Sequence, residues 1–297
     1  MRITQSMMSS GMMHNLQNNY NRMDKYQEQL LTQKQLNRPS DNPVGVSSAL
    51  NYRQEVSFTV QFAENVEDAD SWMKFTDTVL TESTSIVQRL SELAVQAGTE
   101  TMPEDARINV LQEVDQLYNQ LVSLGNSQFK NKYIFNGQRT DQKPYPDDPA
   151  NTTYQLDTGV VNYQIGAGIT VPVNMIGDSV FGKFGEADGL FKVVDEFKKA
   201  LTADDTAGIQ SSIEALQNSL QNITTAQAEI GGKQNRLDFS MSRLEGLQIN
   251  YLELQSKVED TDMAKAITEL KTAESVYQSS LDTIARIIRP SLLDFLR

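Results

Sequence analysis

Apolar side chains recur at helical spacing at both ends of this 297-residue chain, and the middle follows a different rule. Met13, Leu16, Tyr20, Met23 and Leu30 advance by three, four, three and seven residues, a narrow stripe closer to a coiled-coil seam than to a broad globular face. This predicts a helix from Met12 to about Leu36. Arg38-Pro39-Ser40-Asp41-Asn42-Pro43-Val44-Gly45 then breaks it, with Asn42 as cap and Pro43 as first residue of the next helix. From Val46 to Ala97 there is neither Gly nor Pro. Tyr52, Val56, Phe62, Val66, Ala69, Met73, Leu80, Val87, Leu90 and Ala97 keep almost throughout to steps of three, four or seven. A helix of about 50 residues reaches roughly 75 Å, whereas a globule of this chain length measures about 50 Å across. The pattern predicts a rod.

Gly98 ends that segment. Pro103, Glu104 and Asp105 open a third helix, whose buried face is Ile108, Leu111, Val114, Tyr118, Leu121 and Leu124 and whose end is Gly125-Asn126. Between Asn136 and Gly189 lie eight of the sixteen glycines and four of the eight prolines, so helices give way there to turns and short strands. Tyr133-Ile134-Phe135 before Asn136-Gly137 reads as a hairpin, Lys143 to Pro149 as a linker, and Val160–Ile165 and Ile169–Val173 as strands. Helix resumes over Phe191–Leu201 and again from Ile209 to Val258, with a kink expected at Gly231-Gly232. After Glu259-Asp260-Thr261-Asp262, a last stripe of Met263, Ile267, Leu270, Ala273, Tyr277, Leu281, Ile284 and Ile288 runs to Pro290. It is followed by an apolar tail containing Leu292, Leu293 and Phe295. The expected class is mainly α with a small β-rich insert (α+β). Long antiparallel helices from both chain ends form the bundle or coiled coil, and the β domain lies in the middle. The expected segments are 1–43 and 261–297 for the terminal helices, 44–137 and 190–260 for the bundle body, and 138–189 for the insert.

Composition narrows the chemistry. A net charge of −13 disfavours nucleic acid and anionic membrane surfaces, which are held by Lys and Arg. Without cysteine there is no disulfide and no thiolate–metal site, and the single histidine, His14, excludes a multi-histidine centre and argues against a Ser/His triad. Asp147-Asp148 and Asp204-Asp205 lack the spacing of a calcium loop and read as solvated turns. Gly166-Ala-Gly168 opens a strand and lacks the next glycine of a dinucleotide loop. No apolar run is long enough to span a bilayer, and the Met1-Arg2-Ile3-Thr4-Gln5-Ser6 start lacks the apolar core of a signal peptide. Neither a cofactor nor a metal is expected. Apolar stripes at both ends, with an apolar tail, point to assembly.

Three places carry a resemblance: Met1-Arg2-Ile3-Thr4 with Asn15-Leu16; Leu36-Asn37-Arg38-Pro39-Ser40-Asp41-Asn42-Pro43-Val44-Gly45; and Val258-Glu259-Asp260-Thr261-Asp262-Met263-Ala264 through Tyr277-Gln278. Together they resemble the ends of the flagellin superfamily. Asn65-Val66 with Asp70-Ser71-Trp72-Met73, Asn131-Lys132-Tyr133-Ile134-Phe135-Asn136-Gly137, and the ending Ala285 to Leu296 are similar to its hook-associated branch at the hook–filament junction. Thr32-Gln33-Lys34-Gln35 departs from the Ser-Thr-Gly-Lys more usual in relatives.

The resemblance implies a structural axial protein of the bacterial flagellum that is not an enzyme, a junction adaptor between hook and filament. The alternative is a short flagellin that forms the filament itself. An enzyme housed in the insert or an intracellular scaffold are the readings from other classes. The implied partners are a companion hook-associated junction protein, flagellin, identical subunits in a ring and an export chaperone, with no nucleic acid and no membrane insertion. The implied location is extracellular, after type III export without a cleaved signal peptide. The residues expected to carry assembly are Met13, Leu16, Tyr20, Met23, Leu30, Met263, Ile267, Leu270, Tyr277, Leu281, Ile284, Ile288, Leu292, Leu293 and Phe295. In this family the terminal helices order on assembly, as a marginal narrow-stripe helix would.

Overall fold

The structure is a computed structural model that describes residues 5–99, 103–145, 156–186 and 188–287. Its elements in chain order are α1 (Gln5–Thr32), α2 (Pro43–Ala97), α3 (Glu104–Gly125), β1 (Gln128–Phe129), β2 (Lys132–Tyr133), β3 (Asn162–Gly166), β4 (Ile169–Pro172), α4 (Gly177–Phe181), α5 (Leu190–Ala203), α6 (Thr206–Glu259) and α7 (Met263–Ile287). The fold is mainly α with two short strand pairs in the middle of the chain. Two compact units result. One is made from the two chain ends, up to Phe58 and from Gly246 onward; the other runs from Thr59 to Glu245.

The 59–245 unit is organised by seven-residue repeats. On α2, Val66, Met73, Leu80, Val87 and Ala94 interleave with Ala69, Thr76, Ser83, Leu90 and Ala97, and every one is buried. On α6, Ile209, Leu216, Ile223, Ile230, Leu237 and Leu244 stand seven apart and are buried in the same core. A seven-residue repeat returns side chains to nearly the same face of a helix, which is why α2 from Val66 onward and α6 up to Leu244 feed one core over many turns. Thr76 and Ser83 are polar at seam positions. Each hydroxyl donates to the carbonyl four residues earlier (Trp72 O, 2.9 Å; Val79 O, 2.8 Å), so neither is left unsatisfied. α6 is helical through Gly231-Gly232, and the break foreseen between α1 and α2 is capped by Asn42, whose Oδ1 accepts Gly45 N–H at 3.0 Å.

The hairpin lies earlier than the sequence suggested. β1 and β2 pair Gln128 with Tyr133 and Phe129 with Lys132, and the turn is Lys130-Asn131, both at positive φ (49° and 63°). Asn-Gly at 136–137 makes a separate turn with another purpose. Gly137 has φ +56°, and a Cβ there would collide with the Asp157 backbone. Buried Asn136 accepts Asp157 N–H at 3.1 Å and donates to Gln142 O at 3.0 Å, while Asp157 Oδ2 takes the N–H groups of Gln138 and Arg139. Long-range side-chain bonds thus claimed the residues that a local rule assigns to a two-residue loop. β3 and β4 pair antiparallel as expected, with a bulge between Gln164 and Gly166.

Aromatic packing ties this region to the helices. Tyr145, fully buried, sits 4.6 Å from Phe191 and 5.8 Å from Phe181 between ring centroids, and Phe181 stacks edge-on against Phe135 at 5.2 Å. Asn126, just past α3, holds the Tyr145 backbone by both its amide groups (3.0 and 2.8 Å). Trp72 on α2 is 6% exposed and meets Phe129 edge-on at 5.7 Å. The short helix α4 was not foreseen.

Glycines at the two ends of this packing scale yield opposite expectations. A Cβ on Gly125 would lie 2.7 Å from the Tyr145 ring, so Gly125→Ala is expected to cost about 1–3 kcal/mol by overpacking. A Cβ on Gly232 meets nothing within 4 Å, so Gly232→Ala is expected to stabilise α6 by about 1 kcal/mol. Urea unfolding midpoints that move in opposite directions check both.

Candidate functional site

In the unit built from the chain ends, α1 and α7 pack antiparallel. Asn19 Nδ2 donates to Ser280 Oγ at 2.8 Å, Tyr26 OH reaches Glu269 at 3.5 Å, and the rings of Tyr20 and Tyr277 lie 6.0 Å apart. The seam on α1 is Met12, Leu16, Asn19, Met23, Tyr26 and Leu30, all half-buried and spaced four, three, four, three and four. On α7 it is Ala266, Leu270, Ala273, Tyr277, Ser280 and Ile284, with the same spacing. These are matching heptads, and they explain why two helices so rich in Gln, Asn, Ser and Thr pair at all.

Of the residues expected from sequence, Leu16, Met23, Leu30, Leu270, Tyr277 and Ile284 are brought together on this seam. Met13, Met263, Ile267 and Leu281 are not, and Tyr20 meets Tyr277 from the edge of the seam. They stand 41–56% exposed, flanking the pair. Ile288, Leu292, Leu293 and Phe295 lie outside the described residues. Met12, Asn19, Tyr26, Ala266 and Ser280 escaped the sequence reading, because a search for apolar stripes passes over small and polar seam positions. The seven-residue repeat was the signal that could have found them. Beside the seam, a groove of about 360 Å³ runs between Met12, Leu16, Val276 and Ile284.

The second feature of this unit is a knot of backbone and charge where the two helix breaks meet. α1 ends at Thr32, and Gln33 turns the chain with φ +59°, a conformation that favours glycine. The strands leaving α1 and α6 then pair, Gln35 N–H to Glu259 O at 2.6 Å and Thr261 N–H to Gln33 O at 3.0 Å. The Glu259 side chain is 5% exposed. It receives Lys34 Nζ at 3.2 Å, Gln255 Nε2 at 3.0 Å and the guanidinium of Arg53. One carboxylate therefore joins the loop after α1, the start of α2 and the end of α6. Lys25–Asp41 (3.4 Å) and Glu28–Arg38 (3.1 Å) brace the same loop, and buried Gln29 donates to Gln35 O at 3.0 Å. Asp262 caps α7, its Oδ1 accepting Lys265 N–H at 3.1 Å.

Burial by itself would raise the Glu259 pKa. The hydrogen bonds from Gln255 and Lys34 and the charges of Arg53 and Lys34 together outweigh it and hold the group below the usual glutamate value. A depressed carboxylate contributes stability that is full above its unfolded pKa of about 4.3 and is lost as pH falls through the folded value.

Other candidate chemistry resolves into structure. Asp204 pairs with Arg107, and Asp205 caps α6 through Ala207 N–H at 3.1 Å; Asp147-Asp148 lies outside the described residues. Among the described residues no group of three or more His, Asp or Glu could hold a metal ion. None of the helices described is long and apolar enough to cross a membrane. His14 is exposed on α1.

Comparison with known proteins places both chain ends in recognised helical regions. Residues 3–140 match the bacterial flagellin N-terminal helical region, and residues 213–296 match the flagellin C-terminal helical region. Together these regions span about three-quarters of the chain, and the chain belongs to the bacterial flagellin family. It is 26% identical to flagellar hook-associated protein 3 of Salmonella typhimurium, over 100% of both chains. It is 25% identical to flagellin of Bacillus subtilis, over 96% of both. Its fold is similar to that of the flagellar junction protein FlgL from Legionella pneumophila, with a TM-score of 0.58, 15% identity, and coverage of 73% of this chain and 100% of that one.

Glu259→Gln is expected to lower stability at neutral pH by about 1–3 kcal/mol, discounted because Lys34 and Arg53 are partly exposed. It is also expected to flatten the loss of stability below about pH 4.3. Unfolding midpoints of both proteins from pH 3 to 7 check this.

Proposed function

We propose that this chain is a structural component of the bacterial flagellum, an adaptor at the hook–filament junction that joins a companion hook-associated protein to the flagellin filament. The observation that carries this reading is the match to a hook-associated protein along the whole of both chains, from α1 to the end that follows α7. Trp72 supports it. The residue that marks the junction branch in the sequence is seated against the β1–β2 hairpin, where it helps shape the body of the molecule.

The seam residues Leu16, Met23, Leu30, Leu270, Tyr277 and Ile284 hold the two chain ends together, and the exposed flank of Met13, Tyr20, Met263, Ile267 and Leu281 meets neighbouring subunits. Ile288, Leu292, Leu293 and Phe295 extend that contact. The partners in this reading are the companion junction protein, flagellin, further copies of this chain in a ring, and a chaperone for type III export. The place of action is extracellular. A short flagellin remains the second reading, because a flagellin matches over 96% of both chains at nearly the same identity.

Electron microscopy of cells lacking this gene separates the two. Hooks without filaments, with flagellin released into the medium, are expected. Purified protein alone is expected to form no long filaments, whereas the second reading requires them. Deleting Pro290–Arg297 is expected to leave the unfolding free energy within about 0.5 kcal/mol of the parent and to abolish incorporation at the hook tip.

A further inference from the structure

Five of the chain's eleven methionines, Met7, Met8, Met12, Met13 and Met23, lie on α1, in a chain without cysteine. They divide by position. Met7, Met8 and Met13 stand 66%, 45% and 56% exposed and take no place on the seam with α7. Met263, at the start of α7, is likewise exposed off the seam. Met12 and Met23 are half-buried and occupy seam positions of α1. Met12 shares the groove beside the seam with Leu16, Val276 and Ile284. In the antiparallel register set by Asn19–Ser280 and Tyr26–Glu269, Met23 falls across from Ala273. Both residues keep part of their surface in water, unlike Met73 and Met175, which are buried in the 59–245 core.

We propose that Met12 and Met23 form an oxidation site for hypohalous acid, and that their conversion to sulfoxides loosens the α1–α7 pair. The inference rests on the reading that this pair carries assembly at the hook–filament junction. Without cysteine, thioethers are the most readily oxidised groups of the chain. At each site the sulfur gives up an electron pair and gains one oxygen. Hypochlorous acid supplies that oxygen, and its chlorine is reduced and leaves as chloride with a proton. A thioether packs as an adaptable apolar side chain, whereas a sulfoxide is polar and draws water. The seam also contains Ala, Asn and Ser, so it has little apolar burial to offset that change. Asn19, the amide between the two methionines on the seam, already donates to Ser280 Oγ. Met7, Met8 and Met13 are more exposed and react first, and their oxidation leaves the seam as it is. α1 thus carries outer thioethers that consume oxidant and inner ones whose oxidation frees the helix. Methionine sulfoxides are reduced enzymatically, so the change is reversible.

Intact flagella purified with their hooks supply the test. Hypochlorous acid is the oxidant, peptide mass spectrometry locates each sulfoxide, and electron microscopy counts filaments shed at the hook. With the parent chain, sulfoxides are expected at Met7, Met8 and Met13 first, then at Met12 and Met23, and at Met73 and Met175 last. Shedding is expected to follow conversion of Met12 and Met23. Met12→Leu with Met23→Leu conserves seam volume and is expected to keep its filaments at the dose that strips the parent. Met7→Leu with Met8→Leu and Met13→Leu removes the outer thioethers and is expected to shed at a lower dose than the parent. Equal shedding from the parent and the Met12/Met23 variant overturns the inference. The parent alone also decides it: filaments retained after Met12 and Met23 are fully converted, or Met73 oxidised before them, overturn it. Cells lacking the gene that still carry filaments overturn the junction reading and this inference together, whereas the other adverse results leave that reading standing.

Discussion

The Glu259 carboxylate is the point on which the end-built unit depends. Heptad pairing explains why α1 and α7 lie side by side, but a seam one-third made of Ala, Asn and Ser buries little apolar surface. Such a pair is weak on its own, because short or sparsely apolar helices are marginal in water. What fixes it to the rest of the chain is the junction of the two breaks, where Lys34, Arg53 and Gln255 converge on one buried acid and the flanking backbones pair. A buried carboxylate is tolerated only when its partners are all present. Loss of any one of these partners therefore leaves the buried carboxylate less fully compensated.

The two units solve the problem of long helices with the same repeat and different chemistry. In the 59–245 unit, seven-residue rows of Ile, Leu, Val and Met sink fully into a core shared with α3 and α5. In the α1–α7 pair the same spacing carries mostly half-buried residues, with only the small Ala266 and Ala273 fully buried, and large apolar side chains remain on the flanks. One helix pair is finished by its own fold. The other keeps large apolar side chains exposed, the surface that the proposed assembly role draws on.

Much of this was legible in the sequence, and the misses share a cause. Helices were readable because their apolar spacing persists over many turns; the break at Arg38–Gly45 and its Asn42 cap followed from proline and glycine alone. Strands at Asn162–Gly166 and Ile169–Pro172 showed their alternation. The hairpin was misplaced because Asn136 and Gly137 look like a local turn, whereas Asp157, some twenty residues on, decides their geometry. The seam was half-found because Asn19 and Ser280 are polar and were discounted, although their mutual hydrogen bond fits them to it. Glu259 stood inside a recognisable motif, yet nothing in its neighbourhood along the chain predicts that Lys34 and Arg53, more than two hundred residues away, would meet it.

The most direct test of the paired ends exploits a chain without cysteine. Asn19→Cys with Ser280→Cys places one thiol on each helix where the native side chains touch at 2.8 Å. In flagella assembled from this variant, mild oxidation should produce an intramolecular disulfide, seen as a faster-migrating monomer band that reverts on reduction. Oxidation that leaves the thiols free, or that links only different subunits, would contradict an antiparallel α1–α7 pair within one chain.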